Sequence, residues 1–129
     1  MWRGKNKFKA VRTNGLSSKL EAAVYNYLLR REEMGEIEDI KLQQPVVLQA
    51  GGRDTRITWK VDFSFWHKTR KERIYAEAKG METGEYRIKL KLWRAAPPFS
   101  LEIYKGNYKK IYLAEKIDKD ANNRVDEEE

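Results

Sequence analysis

From Thr55 to Trp66 the chain alternates apolar and polar side chains. Ile57, Trp59, Val61, Phe63 and Phe65 fall on one side, and Thr58, Lys60, Asp62 and Ser64 on the other. A period of two is the period of a strand and not of a helix. The run therefore predicts a long strand with one buried face, Asp62 lying on the solvent side. Such a strand cannot stand alone: it needs neighbours to pair with and a layer to cover its apolar face.

The flanking sequence supplies both. Pro45 opens a short strand, Val46 to Gln49, and Gly51-Gly52 with Asp54 makes the turn of an antiparallel hairpin. Lys68 to Arg73 reads as a polar turn. A third strand runs from Ile74 to Lys79, with Ile74, Ala76 and Ala78 against Tyr75, Glu77 and Lys79, and Gly80 ends it. Phe99, Leu101 and Ile103 alternate as a fourth strand, and Lys109 to Glu115 fits a last strand or a helical turn. Two helices complete the pattern. Ser17 or Ser18 reads as the N-cap of the first, with Ser18 and Glu21 at capping-box spacing. Leu20, Val24, Tyr27 and Leu28 repeat at helical spacing to about Met34, and Gly35 is the C-cap. The second covers Glu82 to Arg94, with Tyr86, Leu90 and Trp93 on one face, and Pro97-Pro98 stops it. Helix, three antiparallel strands, helix, strand is the order of an α/β fold: a mixed central β-sheet flanked by helices.

Composition narrows the chemistry. There is no cysteine and one histidine, His67, which excludes a disulfide scaffold, a thiolate zinc site and most histidine-based catalysis. Carboxylates are the plentiful ligands, so a metal here is a hard cation held by oxygens. The 129 residues make one domain, with no membrane-length apolar run and no secretory signal, as expected of a cytoplasmic protein. The net charge of +7 is unevenly placed. Residues 1–16 form a basic arm with Arg3, Lys5, Lys7, Lys9 and Arg12 and no acid. Residues 118–129 form an acidic tail expected to be disordered, which leaves +11 on residues 1–117. The single domain is expected over 17–117. A basic arm with Trp2 and Phe8 interleaved suits a phosphate backbone or a solvated extension. A second basic stretch, with Arg87, Lys89, Lys91 and Arg94, favours a polyanion as partner.

One constellation carries chemistry. Asp62 is on the polar face of the long strand. Glu77 and Lys79 share a face of the next strand, being two residues apart. If those strands pair, two carboxylates and an ammonium converge near a strand end. Glu21, in the first turn of the first helix, can join them or serve as the capping-box residue. With 36% of residues charged, Glu-x-Lys is a common string, and its position gives it meaning: it closes a strand adjacent to the one bearing Asp62.

Asp62, Glu77-Ala78-Lys79 and Glu21 resemble the core of the PD-(D/E)xK nuclease superfamily, with Val61 where that superfamily usually has proline. More narrowly, the chain is similar to small phage nucleases and archaeal Hjc-type Holliday junction resolvases. The matching features are the basic start, Ser18-x-x-Glu21, Leu42-Gln43-Gln44-Pro45, Val61-Asp62-Phe63, Glu77-Ala78-Lys79-Gly80 and the Lys-rich helix that follows. The resemblance covers about residues 5–115.

It implies a restriction-endonuclease-like core and a Mg²⁺-dependent endodeoxyribonuclease that resolves four-way DNA junctions, Mn²⁺ substituting, in the cytoplasm (the host's, if phage-borne). Asp62, Glu77 and the Ala78 carbonyl are the expected metal ligands, with Glu21 completing the set. Lys79 is expected to orient water or neutralise developing charge. Gln44 could position water or phosphate, or simply be a polar residue entering a strand. The arm, Arg30, Arg31, Lys89, Lys91 and Arg94 are the expected DNA-binding residues. Trp66 and His67 are expected to cap the core. Symmetric cutting implies a homodimer, with Tyr25, Tyr104, Tyr108 and Tyr112 as candidate interface or core residues. Another nuclease of the same core (nicking, restriction or repair type) and a non-catalytic nucleic-acid-binding module are the alternatives.

Overall fold

The structure is a computed structural model and describes residues 15–120. The arm residues Arg3, Lys5, Lys7, Lys9 and Arg12, and the tail from residue 121, lie outside the described residues. Helix α1 spans Gly15–Glu33. It is followed by β1 (Ile37–Ala50), β2 (Arg53–His67), β3 (Glu72–Ala78), α2 (Gly84–Ala95), β4 (Ser100–Gly106) and β5 (Ile111–Ile117). The five strands form one mixed sheet in the order β1-β2-β3-β4-β5. Three neighbouring pairs are antiparallel. β3 and β4 are parallel, and α2 is the crossover between them. No helix among the described residues is long and apolar enough to cross a membrane.

Each helix covers one face of the sheet. On one side Tyr86, Leu90 and Trp93 of α2 pack on Val46, Leu48, Trp59, Val61, Tyr75, Leu101 and Ile103. The Trp93 indole meets the Trp59 and Tyr75 rings edge-on and donates to the Phe99 carbonyl at 2.9 Å. On the other side Leu20, Val24 and Leu28 of α1 pack on Ile37, Phe63, Phe65, Ile74, Ala76 and Tyr104.

This division overturns the single apolar face expected of β2. Trp59 and Val61 face α2, whereas Phe63 and Phe65, further along the same strand, face α1. The switch lies at Asp62. β1 switches at the same level, with Val46 and Leu48 toward α2 and Leu42 toward α1. Gln43, between the paired levels Leu42–Phe63 and Gln44–Val61, has φ +53. A residue in the left-handed region breaks the pleat and re-aims the side chains that follow. Asp62 and Ser64, expected at the solvent, are consequently buried.

The first strand is longer than the expected Val46–Gln49, because its first half carries charges (Glu38, Asp39, Lys41) that mask it. The Lys109–Glu115 segment is a strand, β5. Helix α1 begins at Gly15, so Ser18 lies inside it and is no N-cap. Its end is as expected: Gly35 (φ +84) and Glu36 donate to the carbonyls of Glu32 and Arg31, a Schellman closure. Thr83 caps α2, its hydroxyl accepting from the Tyr86 amide at 3.1 Å.

Arg31 pins the end of α1 to the sheet. It is buried, donating to Glu102 at 2.9 Å and Glu36 at 2.7 Å, and the Tyr104 hydroxyl donates to the same Glu102 oxygen at 2.8 Å. His67 is tied to this network through Glu36 at 3.3 Å, and its Nδ1 accepts from the Arg70 amide. Removing one partner of a buried pair strands the other. Arg31→Met is therefore expected to cost about 3–5 kcal/mol in urea unfolding, while the neighbouring exposed Arg30→Ala stays within about 0.5 kcal/mol of wild type.

Candidate active site

The antiparallel ladder between β2 and β3 runs from His67–Glu72 to Phe63–Ala76 and stops one residue short of Asp62. Beyond that point two carboxylates replace backbone carbonyls as acceptors. The Asp62 amide donates to Glu77 Oε1 at 3.1 Å, and the Ala78 amide donates to Asp62 Oδ2 at 2.9 Å. Each carboxylate is thus fixed by the other's strand. Asp62 is 8% exposed and Glu77 5%. Lys79, the residue just past the end of β3, donates its amide to the Tyr104 carbonyl of β4 at 2.9 Å. The site sits at the carboxyl ends of the parallel pair β3/β4, where open α/β sheets leave room for a ligand.

Glu21 reaches this site from α1 and hydrogen-bonds Asp62. Since α1 begins at Gly15, Glu21 is in its second turn and has no capping role. The Gln43 side chain also bonds Asp62. Gln44 instead donates to the Leu42 carbonyl, so the neighbour of the glutamine singled out from sequence is the one that meets the carboxylate. The positive φ at Gln43 shifts which of the two turns inward.

Burial and crowding dominate the electrostatics. Burial first, then the hydrogen bond and charge of Asp62, push the Glu21 carboxyl up to about 8, against the pull of Lys79. Burial raises Asp62 despite the bonds it accepts from Glu21 and Ala78. Burial and the charge of Asp62 raise Glu77 well above the usual carboxylate range. At neutral pH the Glu21–Asp62 pair shares a proton. Lys79 attracts all three carboxylates, and its ammonium lies 4.6 Å from the centre of the Tyr86 ring. A cavity of about 230 Å³ lined by Trp59, Lys79, Thr83, Glu85, Tyr86 and Lys89 opens beside it. The Tyr86 hydroxyl is buried and has no hydrogen-bond partner among the described residues, and burial and Glu77 hold its proton on.

The donor set suits a hard divalent cation. Among the described residues no three His, Asp or Glu side chains form a ready-made cage. Mg²⁺, however, is usually held by one or two carboxylates and retains several waters. Asp62 and Glu77 each keep an oxygen outside the two backbone bonds, and a cation there relieves the repulsion that raises their affinity for protons.

The other expected site residues scatter. Arg31 is buried in its ion pairs and offers nothing to DNA. Lys89 pairs with Glu85 at 2.9 Å, and Arg94 forks onto Glu115 with both bonds at 2.7 Å. Arg30 and Lys91 are exposed. Tyr104 is buried and Tyr25 is stacked on Phe63, so of the tyrosines considered for an interface only Tyr108 and Tyr112 are exposed. Trp66 is partly exposed at the end of β2, and His67 is held by Glu36 and Arg70.

A family described as a protein of unknown function, DUF1064, matches residues 3–119, a segment that includes Glu21, Asp62, Glu77 and Lys79. The chain belongs to the DUF1064 family. No curated protein and no solved structure matches it.

In this DUF1064 member the crowding has a consequence for stability. The unfolded chain releases the Glu21 proton near 4.5, whereas the folded one keeps it to about 8. Stability from this group is complete below pH 4.5 and is lost as pH rises toward 8. The ion-paired Glu36 and Glu115, held below the usual range, act in the opposite sense and at lower pH. In EDTA the Tm is expected to fall between pH 5 and 8, and Glu21→Gln should flatten that slope. An unchanged slope in the variant would mean that Glu21 titrates like an exposed glutamate.

Proposed function

We propose that this protein is a divalent-metal-dependent endodeoxyribonuclease of the PD-(D/E)xK kind, with four-way DNA junctions as its substrate. The reading rests above all on the meeting of Glu21, Asp62, Glu77 and Lys79 from three separate elements at one end of the sheet. The mixed sheet with a helix on each face is the frame expected of a restriction-endonuclease-like core. The preference for junctions comes from the resemblance of the sequence to phage and Hjc-type resolvases.

Asp62, Glu77 and the Ala78 carbonyl would hold Mg²⁺, or Mn²⁺ in its place, with Glu21 completing the set. The ion would supply Lewis acidity toward the scissile phosphate and the attacking water. The chain's own groups do the rest. The bond from the Ala78 amide fixes the direction of Asp62, and Gln43 steadies it. Lys79, backed by the Tyr86 ring, offers positive charge where the phosphoryl group becomes more negative. The Glu21–Asp62 pair can release its shared proton as a cation arrives. A single site cuts one strand, so symmetric resolution of a junction calls for two chains about a two-fold axis.

The test is cleavage of a synthetic four-way junction, a linear duplex and a flap, with Mg²⁺ and with EDTA. Junction cutting that needs Mg²⁺ is the expected result. Asp62→Asn and Glu77→Gln should each lose at least about 10²–10³-fold in rate, the loss of several kcal/mol of transition-state stabilisation, and still bind the junction. Near-normal turnover by either variant removes the site. Equal cutting of duplex and junction keeps the nuclease and removes the resolvase.

A further inference from the structure

Near the carboxylates, the β4–β5 hairpin and one face of α1 present cations that pair with no acid among the described residues. Lys19 and Arg30 on α1 and Lys109 and Lys110 on the hairpin form no ion pair with a described carboxylate, unlike Lys89, Arg94 and Lys105. Lys19, Tyr27 and Arg30 are spaced by eight and three residues and so share one face of the helix. Two tyrosines stand among these cations, Tyr108 at 51% exposure and Tyr112 at 55%. The Lys19 ammonium lies 5.0 Å from the centre of the Tyr108 ring. A groove of about 420 Å³ runs between Tyr27 and Arg30 on one side and Lys109, Lys110 and Tyr112 on the other.

The hairpin tip is held in shape. The Asn107 and Lys110 backbones bond each other at 3.0 and 3.1 Å, and Asn107 Oδ1 accepts from the Lys109 amide at 2.8 Å. Gly106, at φ +119, lets the strand turn: a Cβ there would lie 2.2 Å from the Lys110 carbonyl oxygen. The hairpin adjoins the site through β4: the Lys79 amide is bonded to the Tyr104 carbonyl, two residues before Gly106 begins the turn.

We propose that this surface binds a DNA strand where its bases are unpaired at the branch point, its cations tracking the phosphates while Tyr108 and Tyr112 stack on those bases beside the carboxylate site. This rests on DNA being the substrate. A positive groove with exposed rings is what a single strand needs, because every base offers a face to stack on. A second copy of the chain is disfavoured as the occupant. An isologous contact lays a patch on itself, and here it would set four cations against four.

The test is fluorescence anisotropy in EDTA, so that no cleavage occurs, with labelled oligothymidylate and an abasic strand of equal length. The Tyr108→Ala/Tyr112→Ala variant should bind oligothymidylate roughly tenfold more weakly than wild type and the abasic strand equally well. Tyr108→Phe/Tyr112→Phe should keep wild-type affinity. Lys109→Gln/Lys110→Gln should weaken both strands and make the slope of log K against log salt shallower by about 0.7 for each phosphate that is no longer neutralised. The replaced side chains are exposed, and matching thermal melts establish that the variants fold. Unchanged oligothymidylate affinity in the alanine variant overturns the proposal. So does a fall in its solution mass, which would make the patch an interface between copies. Loss of stacking in the alanine variant of a protein that never cleaves DNA upholds the surface and refutes only the nuclease reading.

Discussion

Two carboxylates that each accept a backbone amide of the other's strand hold one end of this sheet together. Asp62 and Glu77 stand where the β2–β3 ladder would otherwise continue. Their oxygens take over the role of carbonyls, so the strands stay joined while their carboxylates remain aimed at one point. Burying such groups costs free energy unless they are paired or neutralised. Lys79 is a cation that acts on all three carboxylates, and the balance is met by the raised proton affinity of Glu21, Asp62 and Glu77. The apolar cores on the two faces of the sheet supply the stability that lets such a cluster persist.

The same point explains the shape of the sheet. Because β1 and β2 turn over at Gln43 and Asp62, one hairpin serves both cores, its outer half under α2 and its inner half under α1. Asp62 sits at the turnover and so avoids both apolar layers. α1 then crosses close enough for Glu21 to bond it, while α2 places the Tyr86 ring behind Lys79.

Much of this was legible in the residues. The helix faces of Leu20, Val24 and Leu28 and of Tyr86, Leu90 and Trp93, the Gly35 cap, the alternation of Ile74 to Glu77 and the nearness of Asp62, Glu77 and Lys79 follow from period and spacing, whereas spacing left Glu21 open between a cap and the site. The turnover was not legible, because Gln43 is no glycine or asparagine and nothing in its identity asks for positive φ. The unbroken alternation of β2 argued for one face. Arg31, near the end of a helix in a basic chain, was expected to grip DNA. Its true partner, Glu102, is 71 residues away, beyond the reach of any local pattern. Ser18 and Glu21 matched a capping box by spacing alone, and the helix simply starts earlier.

The account stands or falls on whether the carboxylate cluster takes a cation in exchange for its protons. The direct measurement is Mn²⁺ binding followed by electron paramagnetic resonance at pH 8, in wild type and in Glu77→Gln. The account predicts saturable binding at the wild-type site that Mg²⁺ competes away and that Glu77→Gln loses. Binding of equal strength in the variant, or none in wild type at millimolar Mn²⁺, would contradict it.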